Sequence, residues 1–320
     1  MGWSFFYPAC WILSDRRTHD RILSVLMAAA TAAGVAFIVR GVSGTGEGVH
    51  YLWGSGLRIA SRVPNIFAVA LLILLARIYA SGRRPAAAVS TSFMIVMTAG
   101  LILSGTRTLW AGVAVAALAA WLLGMARTGS GGRTAHLWRL AGAGVLAAAA
   151  LGLVTVLGIT SAGQLGQRIG GTEYSLPIDI GLLSRLLSWS AVLEQSGGVA
   201  GLVLGRGMGA TITYFKPEFL EMRTMSFVDG SFWQALLNTG ALGALLLLAL
   251  LLTAAVRSAR LFLSSADDEA RGRALGLFCA FAVLLAASLM SSVTTNYNYT
   301  ALWACLLAML HVEGDLRTGR

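Results

Sequence analysis

Apolar residues in this chain gather into long runs divided by short polar breaks. Runs of about 20 such residues are long enough to cross a hydrocarbon core as helices. The pattern predicts eight spans, at 22–40, 62–81, 86–105, 108–126, 139–160, 230–256, 272–292 and 298–312. A long polar stretch, 161–229, separates the fifth from the sixth. Three parts follow: 1–160 with five spans, 161–229 as one large loop, and 230–320 with three spans and a short tail. Residues 3–14 are apolar and aromatic but too short to span. They read as the tail of a further helix or an interfacial segment. A cleavable leader is not expected, because Asp15, Arg16 and Arg17 follow too short an apolar stretch. The chain also lacks the internal repeat that marks many transporters.

The large loop has order of its own. Gly181 to Gln195 has the spacing of an amphipathic helix, with Leu182, Leu183, Leu186, Leu187 and Leu193 in one stripe. Ser184, Arg185 and Ser188 are expected to face away from that stripe. Such a helix lies flat on a membrane or roofs a cavity. Leu204-Gly-Arg-Gly-Met-Gly209 then reads as a flexible turn, and Phe215, Pro217 and Phe219 add apolar contact surface.

Composition supports the pattern. Hydrophobic residues make up 57% and charged residues 12%, with a mean hydropathy of +0.74. A soluble domain carries roughly twice that charged fraction, so an open soluble globule is excluded, as is a disordered chain. The net charge of +10 does not point to nucleic acid, because no basic stripe interleaved with aromatics is present. The basic residues sit instead at the ends of apolar runs, where they orient the chain. With the N-terminus in the cytoplasm, inner segments hold 14 Arg and outer ones nine Lys or Arg, five of those in the long loop. Both termini are then inside and 161–229 is outside. Cys10, Cys279 and Cys305 form no paired motif, and the four His are scattered, so no metal site and no cofactor are expected.

Five positions carry candidate chemistry. Arg107 sits in a tight turn, Ser104-Gly105-Thr106-Arg107-Thr108, at the outer boundary. A guanidinium fixed there can hold a phosphate in a fork of hydrogen bonds, or simply reach for lipid headgroups. Arg185 lies one helical turn before Trp189, so the two can stack with the guanidinium turned to an anion. The plainer reading is a solvated arginine. Arg58 and Arg62 precede Pro64-Asn65 at the start of the second span, where proline is ordinary. Asp229 directly precedes the sixth span. It suits a helix N-terminus electrostatically, and it also suits a base or orienting group for a sugar hydroxyl. Asn238, Gly240 and Gly243 read chiefly as helix-packing positions. The glycines of 205–209 follow no parallel strand, so a dinucleotide reading fails its context.

Together these segments resemble the O-antigen ligase and Wzy-type polymerase family. Leu103-Ser-Gly-Thr-Arg107 resembles that family's "S-R-G" turn between two helices. Arg58 through Pro64-Asn65-Ile-Phe-Ala68 resembles its "R…PN.fA" approach to a helix. Arg185-Leu-Leu-Ser-Trp189 resembles its "R…W" motif in the large periplasmic loop, and 204–209 its "G.G.G" turn. Val228-Asp-Gly-Ser-Phe-Trp-Gln through Gly240 and Gly243 resembles its "HN.yl.lL.e.G..G" segment. The likeness runs over residues 57–310 or so. The family's ligases carry His where this chain has Asp229, and many polymerase-like members carry Asp, which favours polymerase. Gly230 stands where the family usually has Asn. Members also carry more helices ahead of the Arg58 segment. The resemblance therefore implies a compact member or a chain that begins partway through one.

The resemblance implies a GT-C-like all-α polytopic fold in the bacterial inner membrane. It implies transfer or polymerisation of a glycan from a polyprenyl-diphosphate carrier to a glycan or lipid-linked acceptor, without a metal. Its partners are that donor and acceptor, membrane lipids and polysaccharide assembly proteins. By carry-over, Arg107 and Arg185 bind the donor diphosphate and neutralise it as it leaves. Arg58 and Trp189 line the substrate site, and Asp229 takes or orients the acceptor proton. Two rivals remain: a lipid-linked glycan flippase, which predicts charged residues deep in several spans, and a non-catalytic assembly subunit.

Overall fold

The computed structural model describes residues 9–10, 16–43, 49–52, 56–59, 64–81, 87–104, 106–128, 180–217, 219–291 and 300–318. Most of them are helical. A segment packed in hydrocarbon must satisfy its backbone hydrogen bonds internally, and an apolar helix does so. In chain order the elements are α1 (Arg16–Ser43), β1 (Val49–Leu52), β2 (Gly56–Ile59), α2 (Pro64–Ser81), α3 (Ala87–Leu103) and α4 (Arg107–Thr128). Then come α5 (Ile180–Glu194), α6 (Val199–Leu204), β3 (Ile212–Lys216), β4 (Glu221–Met225), α7 (Ser231–Ser264), α8 (Asp268–Met290) and α9 (Thr300–Thr318). The expected fifth span, 139–160, lies outside the described residues, as does 161–179.

Four of the described helices are long and apolar enough to cross a bilayer: Thr18–Arg40, Leu109–Ala126, Ser231–Ser264 and Asp268–Met290. Shorter apolar helices run over Asn65–Ile78, Thr91–Leu103 and Leu302–Gly314. This is the make-up of a helical membrane protein. Small residues let the helices approach, as association inside a membrane requires. A methyl group on Gly34 would lie 2.8 Å from Val96, and one on Gly112 would lie 3.0 Å from Val283.

Pairwise packing sorts the helix termini into two ends. At the first end Arg77 donates to Asp20 at 3.1 Å, and Arg273 to Glu313 at 3.3 Å. This brings together the starts of α1 and α8 and the ends of α2 and α9. At the second end Phe37 meets Phe67 edge-on, with centroids 5.2 Å apart. Phe67 also lies against Gly100, and Gly112 against Val283 and Ala286. The Ser231 N–H donates to the Ser291 carbonyl at 3.1 Å. The second end thus gathers the end of α1, the start of α2, the end of α3, the start of α4, the end of α8 and the start of α7.

Two antiparallel hairpins, β1–β2 and β3–β4, interrupt the helices. A small second core joins Ala191 and Val192 of α5, Ile212 and Tyr214 of β3, Val228, and Leu237 of α7. The main core runs between the apolar helices.

The sixth span departs from its expected form. Its helix continues to Ser264 and is broken at Gly240, whose φ of 70° and ψ of −172° are non-helical. Only glycine tolerates such a backbone readily. The break frees carbonyls that a straight helix would use internally. The Arg206 N–H donates to Leu237 O at 2.9 Å and the Gly207 N–H to Asn238 O at 3.0 Å. The turn 204–209, expected to be flexible, is therefore tied into α7. A methyl group on Gly240 would collide with the Val203 carbonyl, and one on Gly205 with the main chain of Asn238 and Thr239.

Candidate functional site

The second end holds the residues singled out by chemistry, and the local folding of 226–229 sets their geometry. Gln234, in the first turns of α7, is buried. Its Oε1 accepts the Val228 N–H at 2.7 Å, and its Nε2 donates to Ser226 O and to Asn238 Oδ1, each at 3.3 Å. A buried amide costs free energy unless it is satisfied, so this network specifies one path for the chain. Val228 points wholly into the small core, and Asp229 beside it is exposed.

Trp189 fastens the same peptide from α5. Its indole N–H donates to the Asp229 carbonyl at 2.8 Å. Its ring stacks on Trp233 with centroids 5.2 Å apart and planes 12° from parallel. The ring contact observed for Trp189 is thus with Trp233 of α7. Arg185, one turn earlier on α5, places Nε 3.7 Å from Asp229 Oδ2. That Nε is buried and donates to no acceptor among the described residues. The side chains remain 33% and 50% exposed. A pair this open contributes about 0–1 kcal/mol, so it adds little to stability and leaves both groups within reach of a solute.

Asp229 stands one residue before the N-cap of α7. Gly230 is the N-cap of α7, with φ 95° and no side-chain cap. A methyl group there would lie 3.0 Å from both Leu289 O and Trp233. Glycine therefore suits the position, both sterically and by its positive φ.

The amphipathic helix is present as α5, with Ser184 and Ser188 facing away from the leucine stripe. Ser184 and Ser188 are buried, Ser188 at 2% exposure, while Leu182, Leu186 and Leu193 are exposed and Leu187 packs on the small core. The serine hydroxyl at 188 satisfies itself on the Arg185 carbonyl at 2.8 Å, which lets the small side chain face the packed side. Gln195 closes the helix onto β3, accepting from Thr213 N and donating to Thr213 O.

Arg107 is the first residue of α4, and its side chain lies outside the described part. The turn before it is stapled: Ser104 Oγ donates to Leu101 O at 2.7 Å, and the Trp110 indole N–H to the same carbonyl at 3.0 Å. The Thr106 carbonyl accepts the Trp110 N–H at 3.3 Å, which makes Thr106 the cap. Arg107 thus adds its charge to the positive end of a 22-residue helix, a place that favours anions. The contact of Gly112 with Val283 and Ala286, and of Gly230 with Leu289, puts the starts of α4 and α7 at one end of the bundle. Arg58 lies on β2, opposite His50. Its side chain and Arg62 are outside the described part.

Trp233 and Gln234 were not singled out from the sequence. The available signal was a pair of amides, Gln234 and Asn238, four residues apart inside an apolar run, since polar groups there are costly. Among the described residues no three His, Cys, Asp or Glu side chains come close enough to share a metal ion. Comparison with family models, with curated proteins and with solved structures returns no match.

Proposed function

We propose that the chain is a membrane glycosyltransferase of the O-antigen ligase and polymerase type, with polymerase favoured, acting on a polyprenyl-diphosphate glycan. One observation carries the reading: Arg185 is seated 3.7 Å from the Asp229 carboxylate, at the end of the bundle where α4 begins with Arg107. The first end faces the cytoplasm of a bacterial inner membrane, and the second faces outward. The polyprenyl tail lies among the apolar helices. Arg107 and Arg185 take the diphosphate, aimed where negative charge develops. The acceptor hydroxyl oxygen attacks the anomeric carbon, the bond from that carbon to the diphosphate oxygen breaks, and the hydroxyl proton passes to Asp229. Arg58 and Trp189 line the site, Trp189 by holding the Asp229 peptide. The stretch 161–229 limits water, so that transfer outruns hydrolysis.

Purified protein in nanodiscs, given a labelled polyprenyl-diphosphate glycan, should lengthen the glycan. Movement of label across the membrane without new linkages, or no reaction with every acceptor offered, rejects the transferase reading. A second reading, a carrier for the same lipid-linked glycan, draws on the buried polar cluster at the first end, where Arg273 and Glu313 pair. His19, Arg273 and Glu313 are 1%, 3% and 6% exposed. The sequence placed Glu313 beyond the eighth span, whereas α9 continues through it to Thr318. Charges buried between helices are a hallmark of transport pathways, and the nanodisc assay separates the two activities.

A further inference from the structure

We propose that α6 and the loop to Gly209 are immersed in the lipid leaflet at the second end of the bundle, as a short wedge that seals the broken helix α7 against the bilayer. This inference is independent of the transferase reading.

Three observations converge on it. First, α6 reads Val-Ala-Gly-Leu-Val-Leu, without a polar side chain, and none of its residues is buried. Leu204 is 67% exposed and Met208, just beyond, 87%. A helix of six residues is far too short to persist alone in water, and this one shows its apolar side chains outward. Second, α6 is joined to a membrane helix at a definite height. From Gly240 to Arg257, the exposed basic residue that closes the run 230–256, the helix rises about 26 Å at 1.5 Å per residue, against a hydrocarbon core of about 30 Å. Gly240 therefore lies within the outer edge of the leaflet, and the Gly205 backbone packs on Asn238 and Thr239 immediately beside it. Third, the exposed surface is continuous. Leu242, Leu245 and Leu246, directly below the break, are exposed along α7, where lipid is their natural neighbour.

The polar groups of the wedge fit the same depth. The Leu237 and Asn238 carbonyls, orphaned by the break, are satisfied by the N–H groups of Arg206 and Gly207, as backbone near hydrocarbon demands. The Arg206 guanidinium turns back to the Thr211 carbonyl at 2.9 Å, so its charge stays at headgroup level while its neighbours enter the lipid.

The test uses the full chain in nanodiscs, with Cys10, Cys279 and Cys305 replaced by Ala and a nitroxide attached at Leu204→Cys, Met208→Cys or Leu246→Cys. Collisions with molecular oxygen report lipid, and collisions with a water-soluble nickel chelate report water. Labels at 204 and 208 should match the label at 246, with oxygen dominant. Dominant nickel collisions would overturn the proposal, and so would protection from both reagents, the sign of a protein partner or second copy. If the alanine background does not fold, a diazirine-bearing phosphatidylcholine on the unmodified chain should mark residues 199–208. Labelling of α7 without this segment would overturn it equally.

Discussion

Trp189 holds Asp229 by its main chain: the indole N–H donates to the Asp229 carbonyl at 2.8 Å across 40 residues of sequence. The aspartate side chain is thereby oriented by a contact that does not involve its carboxylate. Orientation and chemistry are separate at this position, and they can be separated by mutation.

Trp189→Phe removes the indole donor and keeps an aromatic ring for Trp233. The loss of one hydrogen bond should cost about 1 kcal/mol of stability. Glycan transfer should fall further than that, since misplacement of a reacting group by an ångström can cost roughly 100-fold. Asp229→Asn should lower kcat by roughly 10²–10⁴ with little change in melting temperature. Retained kcat in Asp229→Asn would remove the aspartate from the reaction.

Arg107→Lys and Arg185→Lys keep the charge and lose the planar fork, which is not a conservative change at a phosphate. Each should reduce transfer by roughly 10²–10³ while the protein still reaches the membrane in normal amount. Full activity in both variants would reject the diphosphate assignment.

Gly240→Ala places a methyl group against the Val203 carbonyl and demands a backbone that alanine avoids. Strain of this kind costs roughly 1–3 kcal/mol. The variant should lose the hydrogen bonds from Arg206 and Gly207 to α7, and trypsin should cut faster after Arg206. An unchanged cleavage rate and melting curve would show that the break in α7 does not depend on the glycine.

At the first end, Glu313→Ala leaves Arg273 with only the half-exposed Glu269 carboxylate, 3.3 Å from its guanidinium, for a loss short of the roughly 3–5 kcal/mol of a wholly unpaired buried charge. Replacing Arg273 and Glu313 by leucine removes the two charges together and should recover most of that stability in detergent melting curves. Equal losses in the single and double variants would mean that the pair does not stabilise the bundle by charge.

Much of the fold was legible because hydrocarbon leaves the backbone few choices. The runs at 62–81, 86–105 and 108–126 became α2, α3 and α4 with ends shifted by one or two residues. The candidate site was partly legible. Arg185 and Asp229 were both singled out, and the structure pairs them. Their supports were not, since nothing in local sequence reveals that Gln234 will bind Ser226 and Val228, or that Trp233 will stack on Trp189. The leucine stripe of α5 was legible, with Ser184 and Ser188 opposite it, but which face packs on protein was not: near a bilayer an outward leucine is at no disadvantage.

Sequence alone determined that this chain is helical and membrane-embedded, because apolar run length and the need to satisfy backbone groups act locally and leave one solution. Tertiary structure alone decided the rest: the break at Gly240, the caps on its freed carbonyls, the burial of His19, Arg273 and Glu313 together, and the meeting of Arg185 with Asp229. Each of these depends on partners tens to hundreds of residues apart. Only the packing of whole helices decides which polar groups find one another once water is excluded.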